Sequence, residues 1–216
     1  MCTRPNLLAD EQLPPPPQQE RSRRARSALL GAALALFAEN GYEATTVEEV
    51  ARRAGVAVGG FYLHFRSKRQ VLQVLMDSLL LELDTRLGAL GDVARLTQEL
   101  WSFDFDSPYA GVYRAWREAA LRDASIAALD TEIEAWTSAR IAAALHSVSA
   151  KPGALASVDV QSFAWLLSVL WWQLVENARL DRDALMKKAV ALVRSVLFED
   201  GARSSELQPR PAEETS

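Results

Sequence analysis

A chain of 216 residues, 49% of them hydrophobic and 24% charged, has the composition of one or two globular domains with a substantial core. The net charge of −4 conceals a division: residues 21–70 hold nine Lys/Arg against four Asp/Glu, whereas residues 71–216 hold fourteen against twenty-one. A basic N-terminal block on an acidic body suits a protein that meets phosphates with one end, and the lone Cys2 excludes an intramolecular disulfide.

Residues 1–20 contain Pro14-Pro15-Pro16-Pro17 and no apolar period, which reads as a disordered or polyproline tail. The start carries no apolar signal-peptide core, and the longest nearly apolar run, Phe163 to Val175, is too short to span a bilayer. A cytoplasmic protein is expected. Arg21-Ser22-Arg23-Arg24-Ala25-Arg26 then leads into a first helix, about Arg24 to Asn40, with Leu29, Ala33, Leu36 and Phe37 on its core face and Gly41 as its stop. The arginines are either a solvated helix start or a set of phosphate and minor-groove contacts from Arg23, Arg24 and Arg26.

The most informative stretch is Thr45 to Lys68. Thr46 and Glu49 form the S/T-x-x-E pattern of a capping box, and Val47, Val50, Ala51 and Ala54 share one helical face. Gly55 closes that helix, and a second restarts at about Ala57 and runs to Leu63. Two short helices joined by a glycine turn are a helix-turn-helix, whose second helix enters the major groove of DNA. Ser67 with Gln70 caps the next helix, about Ser67 to Leu90, which has Leu72, Leu75, Leu79, Leu83 and Leu87 along one side.

The run Gly55-Val56-Ala57-Val58-Gly59-Gly60-Phe61-Tyr62-Leu63-His64-Phe65-Arg66-Ser67-Lys68, with Phe37 to Tyr42 and Thr45-Thr46 upstream, resembles the signature of the tetracycline-repressor (TetR) family. The similarity covers about Arg21 to Glu82. It implies an all-α protein with an N-terminal three-helix helix-turn-helix domain (21–82, linking helix 67–90). A helical ligand-binding and dimerisation domain (83–199) and a disordered tail (200–216) follow. By the same resemblance Thr46, Tyr62 and Lys68 hold phosphates, although Thr46 is equally a cap and Tyr62 can pack. Three positions depart from the family pattern: Ala57 replaces a capping serine, Gly60 a threonine, and Val58 is apolar. Ala57, Val58 and Gly60 offer no side-chain hydrogen bonds, so direct readout there is limited to thymine methyls, and Gly59 allows close backbone approach. His64 or Arg66 could contact a base or position a phosphate; Phe61 and Phe65 read as core.

Beyond Gly91 the expected helices run about Val93 to Phe103, Pro108 to Asp123, Ala124 to Val148, Asp159 to Arg179 and Arg182 to Phe198. Eleven of the seventeen aromatic residues lie between Trp101 and Trp172. Trp101, Phe103, Phe105, Tyr109, Tyr113, Trp116, Trp136 and Trp165 either line an apolar ligand cavity, which the resemblance favours, or fill a core. The helix over Phe163 to Val175 is apolar nearly all round and must be covered on more than one side. A symmetric dimer places two recognition helices on successive turns of one groove. Leu170, Trp171, Leu174, Val190, Val193 and Leu197 are its candidate interface.

No catalytic centre is visible. The two histidines are His64 and His146, and no metal-ligand cluster, phosphate-cradling loop or nucleophile elbow is present; no cofactor is expected. The expected partners are double-stranded operator DNA, a second copy of the chain and an unknown small-molecule effector. The rival reading is a helical small-molecule-binding protein or enzyme without sequence-specific DNA binding.

Overall fold

The computed structural model describes residues 3–9, 11, 13–15, 17–88, 108–149, 159–176 and 181–197. All regular structure among the described residues is helical: α1 (Glu20–Ala44), α2 (Val47–Arg53), α3 (Val58–Tyr62), α4 (Lys68–Gly88), α5 (Pro108–Ala120), α6 (Ala124–Ser149), α7 (Val160–Glu176) and α8 (Arg182–Leu197). The helix expected over Val93 to Phe103 and the C-terminal tail lie outside the described residues, as do Trp101, Phe103 and Phe105.

Local signals set the ends of the N-terminal helices. Thr46 and Glu49 form the expected capping box: the Thr46 hydroxyl accepts from Glu49 N at 3.2 Å while Glu49 Oε2 accepts from Thr46 N at 2.9 Å. Gly41 and Gly55 take φ values of +81° and +67°, which side chains other than glycine's rarely tolerate, and they close α1 proper and α2. Ser67 Oγ accepts from Gln70 N at 3.2 Å and opens α4.

Packing is organised by two long helix pairs, α1 along α5 and α6 along α7. At the first crossing a Cβ on Gly111 would lie 2.4 Å from Ala38 Cα, so only glycine lets the two backbones meet this closely. One continuous apolar cluster runs from Leu29 and Phe37 through Phe61, Phe65, Leu72 and Met76 to Tyr113, Trp116, Trp136, Trp172 and Leu174. This cluster runs across the boundary expected near residue 82.

Three sequence expectations are corrected. The N-terminal segment does not hang free: Leu7 is 1% exposed, and Arg4, Leu7 and Glu11 meet α4. Leu174, placed at a dimer interface, is buried in the chain's own core, with Leu170 and Trp171 packed against it. Trp165 does not join the buried aromatics; it is 61% exposed, beside Leu166 and Val169. The cause of the last two is one of phase. A helix that is apolar all round does not announce which stripe faces inward, and α7 turns Phe163, Ala164 and Trp172 to the core. Val190 is half-buried on α8, and the side chains of Val193 and Leu197 lie outside the described residues.

Candidate nucleic-acid interface

The short helix α3 follows α2 across the Gly55 turn and rests on Phe61, which is fully buried against Phe65 with ring centroids 5.8 Å apart. Anchored through that ring, α3 turns its other side outward. Ala57, Val58 and Gly59 are exposed, with Val58 at 39%, and Tyr62 and Leu63 project further, at 52% and 73%. Leu63 was missed in the sequence because it occupies a variable position of the motif. A side chain at Gly60 would meet Val56 Cγ1 at 2.7 Å, so the small residue there belongs to the α2–α3 packing.

Beside this surface lies an open groove of about 420 Å³, lined by Arg21, Arg24, Ala25 and Ala28 of α1 and by Ala54 to Ala57 of the turn. Arg21 forms no ion pair among the described residues, and Arg23 and Arg24 share Glu20 at 2.8 and 3.0 Å. These two pairs are solvent-exposed and weak, so the guanidinium groups can exchange Glu20 for a phosphate at little cost. Arg26 is different. Its guanidinium lies 4.9 Å over the Phe65 ring, and burial draws its pKa below the ordinary value.

Two residues assigned to DNA in the sequence point inward. His64 is 8% exposed; its pKa lies below the usual imidazole value, first because of burial and second because of the Arg26 charge. A ring buried to this extent is placed for packing against its neighbours rather than on the outward face of α3. Lys68 donates from Nζ to the carbonyls of Tyr42, Glu43 and Thr45 at 2.8, 3.2 and 3.0 Å, and sits 4.3 Å over the Tyr42 ring. An ammonium has three donors, and all three are occupied. Lys68 therefore ties the α1–α2 corner together instead of reaching a phosphate. The Thr46 hydroxyl is similarly engaged with Glu49.

The same corner is gripped from the body. Glu118, on the last turn of α5, accepts from Tyr42 N at 2.6 Å and Glu43 N at 3.4 Å, while Arg122 pairs with Glu43 at 3.0 Å. A Cβ on Gly41 would lie 2.6 Å from the Glu118 carboxylate. Contacts across more than seventy residues leave no periodic trace, so sequence reasoning had no signal for them.

In the body, Tyr113, Trp116 and Trp136 are buried, and Tyr113 stacks on Trp172 with centroids 4.0 Å apart. Trp116 Nε1 donates to Asp130 at 3.0 Å, and Arg117 pairs with Asp130 and Glu134. Burial nevertheless outweighs these partners and raises the Asp130 pKa. Tyr109 is 37% exposed at the start of α5. No group of His, Cys, Asp or Glu suited to a metal occurs among the described residues, and no described helix is long and apolar enough to cross a membrane.

Comparison with known proteins agrees with this geometry. Residues 29–75 match the family model "Bacterial regulatory proteins, tetR family". The Transposon Tn10 TetC protein of Escherichia coli is 33% identical over 74 residues, 34% of this chain and 38% of that protein. The HTH-type transcriptional repressor KstR2 of Mycolicibacterium smegmatis is 46% identical over 55 residues, 25% of this chain and 27% of that one. The chain thus spans well under half the length of these curated relatives. The solved SmeT–triclosan complex superposes with a TM-score of 0.69 at 19% identity, over 87% of this chain and 98% of that one, which is a likeness of fold. The capped helix-turn-helix and its outward α3 fall within the matched stretch: residues 29–75 resemble the tetR family of bacterial regulatory proteins, and the remainder of the chain shares the fold of the superposed structure.

Proposed function

We propose that the protein is a sequence-specific DNA-binding transcriptional regulator, a dimeric repressor released from its operator by a small apolar or aromatic ligand. The observation that carries this reading is the outward face of α3, Ala57 to Gly59 with Tyr62 and Leu63, beside the arginine-lined groove. That face offers one apolar group to thymine methyls, close backbone approach at Gly59 and a phenol for a phosphate. Arg21, Arg23 and Arg24 supply the cationic flank, and contacts of this kind position the protein without reading sequence.

Dimerisation is supported by the exposed apolar stripe Trp165, Leu166 and Val169 on α7, with Leu192 of α8. These replace Leu174 as the residues expected to meet a partner. Effector binding is supported by two buried polar groups in the body, the Trp172 indole N–H and the Thr137 hydroxyl, which have no hydrogen-bond partner among the described residues. Such groups are costly to leave unmet, and an aromatic ligand carrying an acceptor suits both the donors and the surrounding rings. The route to DNA is short. Tyr113 and Trp116 lie on α5, whose last turn carries Glu118 and its grip on Tyr42 and Glu43. A ligand that favours a displaced α5 disfavours the present α1–α2 corner by its difference in affinity for the two arrangements.

Capture of genomic fragments by the purified protein, followed by challenge with a panel of aromatic compounds, tests both halves. Recovery of a small set of sites, released by one compound class and not by solvent alone, is the expected result. Retention of small molecules without any preferred duplex would favour a helical ligand-binding protein instead.

A further inference from the structure

The polar face of α4 has no role in the account so far. Gln70, Gln73 and Asp77 recur at i, i+3 and i+7, so they form one stripe of the helix, and the two glutamines are only 1% and 2% exposed. Buried amides need partners, and each of these finds one in the N-terminal segment. Gln73 Nε2 donates to the Leu7 carbonyl at 3.1 Å, Gln70 Nε2 donates to Glu11 Oε2 at 3.1 Å, and Arg4 pairs with Asp77 while donating to its carbonyl at 3.2 Å. The segment runs antiparallel to the helix and presses Leu7 into the core. At its Glu11 end it meets Arg69 at 3.8 Å, and Arg69 in turn reaches Asp123 at 3.3 Å, between α5 and α6, and Ser125 Oγ at 2.7 Å, in the first turn of α6. Gln70 Oε1 also accepts from Arg66 N at 2.9 Å, in the turn between α3 and α4.

We propose that the N-terminal segment carrying Arg4, Leu7 and Glu11 is an intramolecular strap that holds α4 in register between the DNA-facing helices and the body. The strap lies outside the matched family stretch, which begins at residue 29. Its effect on binding follows from preorganisation. An α4 fixed before encounter has less conformational freedom to lose when α3 meets DNA. Loosening the strap therefore weakens duplex binding without changing which sequence is preferred, because no strap residue lies on the outward face of α3.

The test compares the full chain with a variant lacking residues 2–13 and with the double substitution Arg4→Gln, Glu11→Gln, which retains Leu7 and serves if the truncation does not fold. Hydrogen exchange is read over α4, with α6 and α7 as the internal reference. The strap predicts exchange in the first three turns of α4 faster by about tenfold, with α6 and α7 unchanged. It also predicts affinity lower by about fivefold for a duplex selected with the full chain, with the same base preferences. Unchanged exchange in α4 would overturn the proposal. So would acceleration spread equally over α6 and α7, which would make the segment ordinary core, or tighter duplex binding. A full chain that selects no duplex would count against the regulator reading, while the exchange comparison would still decide the strap.

Discussion

Replacing Lys68 by methionine separates the two roles that its position suggests. In the structure its ammonium satisfies the carbonyls of Tyr42, Glu43 and Thr45 and covers the Tyr42 ring. Hydrogen bonds from a charged donor contribute about 1.5–3 kcal/mol each, but the site is only half-buried, and the Glu43 carbonyl, at 3.2 Å, makes the longest of the three. Water can replace part of what is lost, and methionine keeps most of the stem packing. A net destabilisation of about 2–4 kcal/mol follows, equivalent to a melting point lower by roughly 5–10 °C for a chain of this size. The assay is thermal unfolding by circular dichroism, run alongside duplex binding at several salt concentrations. If Lys68 instead held a phosphate, its loss would leave the melting point unchanged and flatten the log–log salt slope by about one. That pair of results would refute the structural role assigned here.

Three further outcomes are expected. Gly111→Ala puts a Cβ against Ala38 and should destabilise the protein by about 1–3 kcal/mol, read by urea unfolding, because two helix axes must separate. The Tyr42 phenol is pushed from its ordinary value of 10 up to about 12, first by burial and then by the charges of Glu43 and Asp123, against an opposing effect from Arg69. The folded state therefore keeps a proton that the unfolded state loses, so stability should be intact below pH 10 and decline as pH rises towards 12, with Tyr42→Phe flattening that decline. Val58→Arg should shift preference towards guanine at one position per half-site, with discrimination of about 1–3 kcal/mol, read by sequencing of selected duplexes.

The helix-turn-helix is legible in the sequence because its signals are local. A capping box, two glycines with positive φ and a short apolar period lie within two dozen residues, and each is satisfied where it stands. The α4 cap at Ser67 is read for the same reason. The inward turn of His64 and Lys68 is not legible, because it depends on Arg26 and on carbonyls of the α1–α2 corner, brought close only by the fold. The N-terminal strap hides behind a proline run, and the polar stripe of α4 that holds it has the composition of a solvated helix face. For α7 the composition reveals burial on more than one side. It cannot give the phase that leaves Trp165 outside and takes Leu174 inside.

The central claim, that the outward face of α3 reads a duplex, is tested most directly by selection from randomised duplexes with the purified full chain, followed by affinity measurements across salt. The account predicts an enriched, near-palindromic sequence with half-sites on successive turns of one groove, and affinity that falls steeply as salt rises. Exposed Val58, Tyr62 and Leu63 should then be protected from solvent labelling only in the presence of that duplex. Recovery of no enriched sequence, with weak binding that varies little between duplexes, would contradict it.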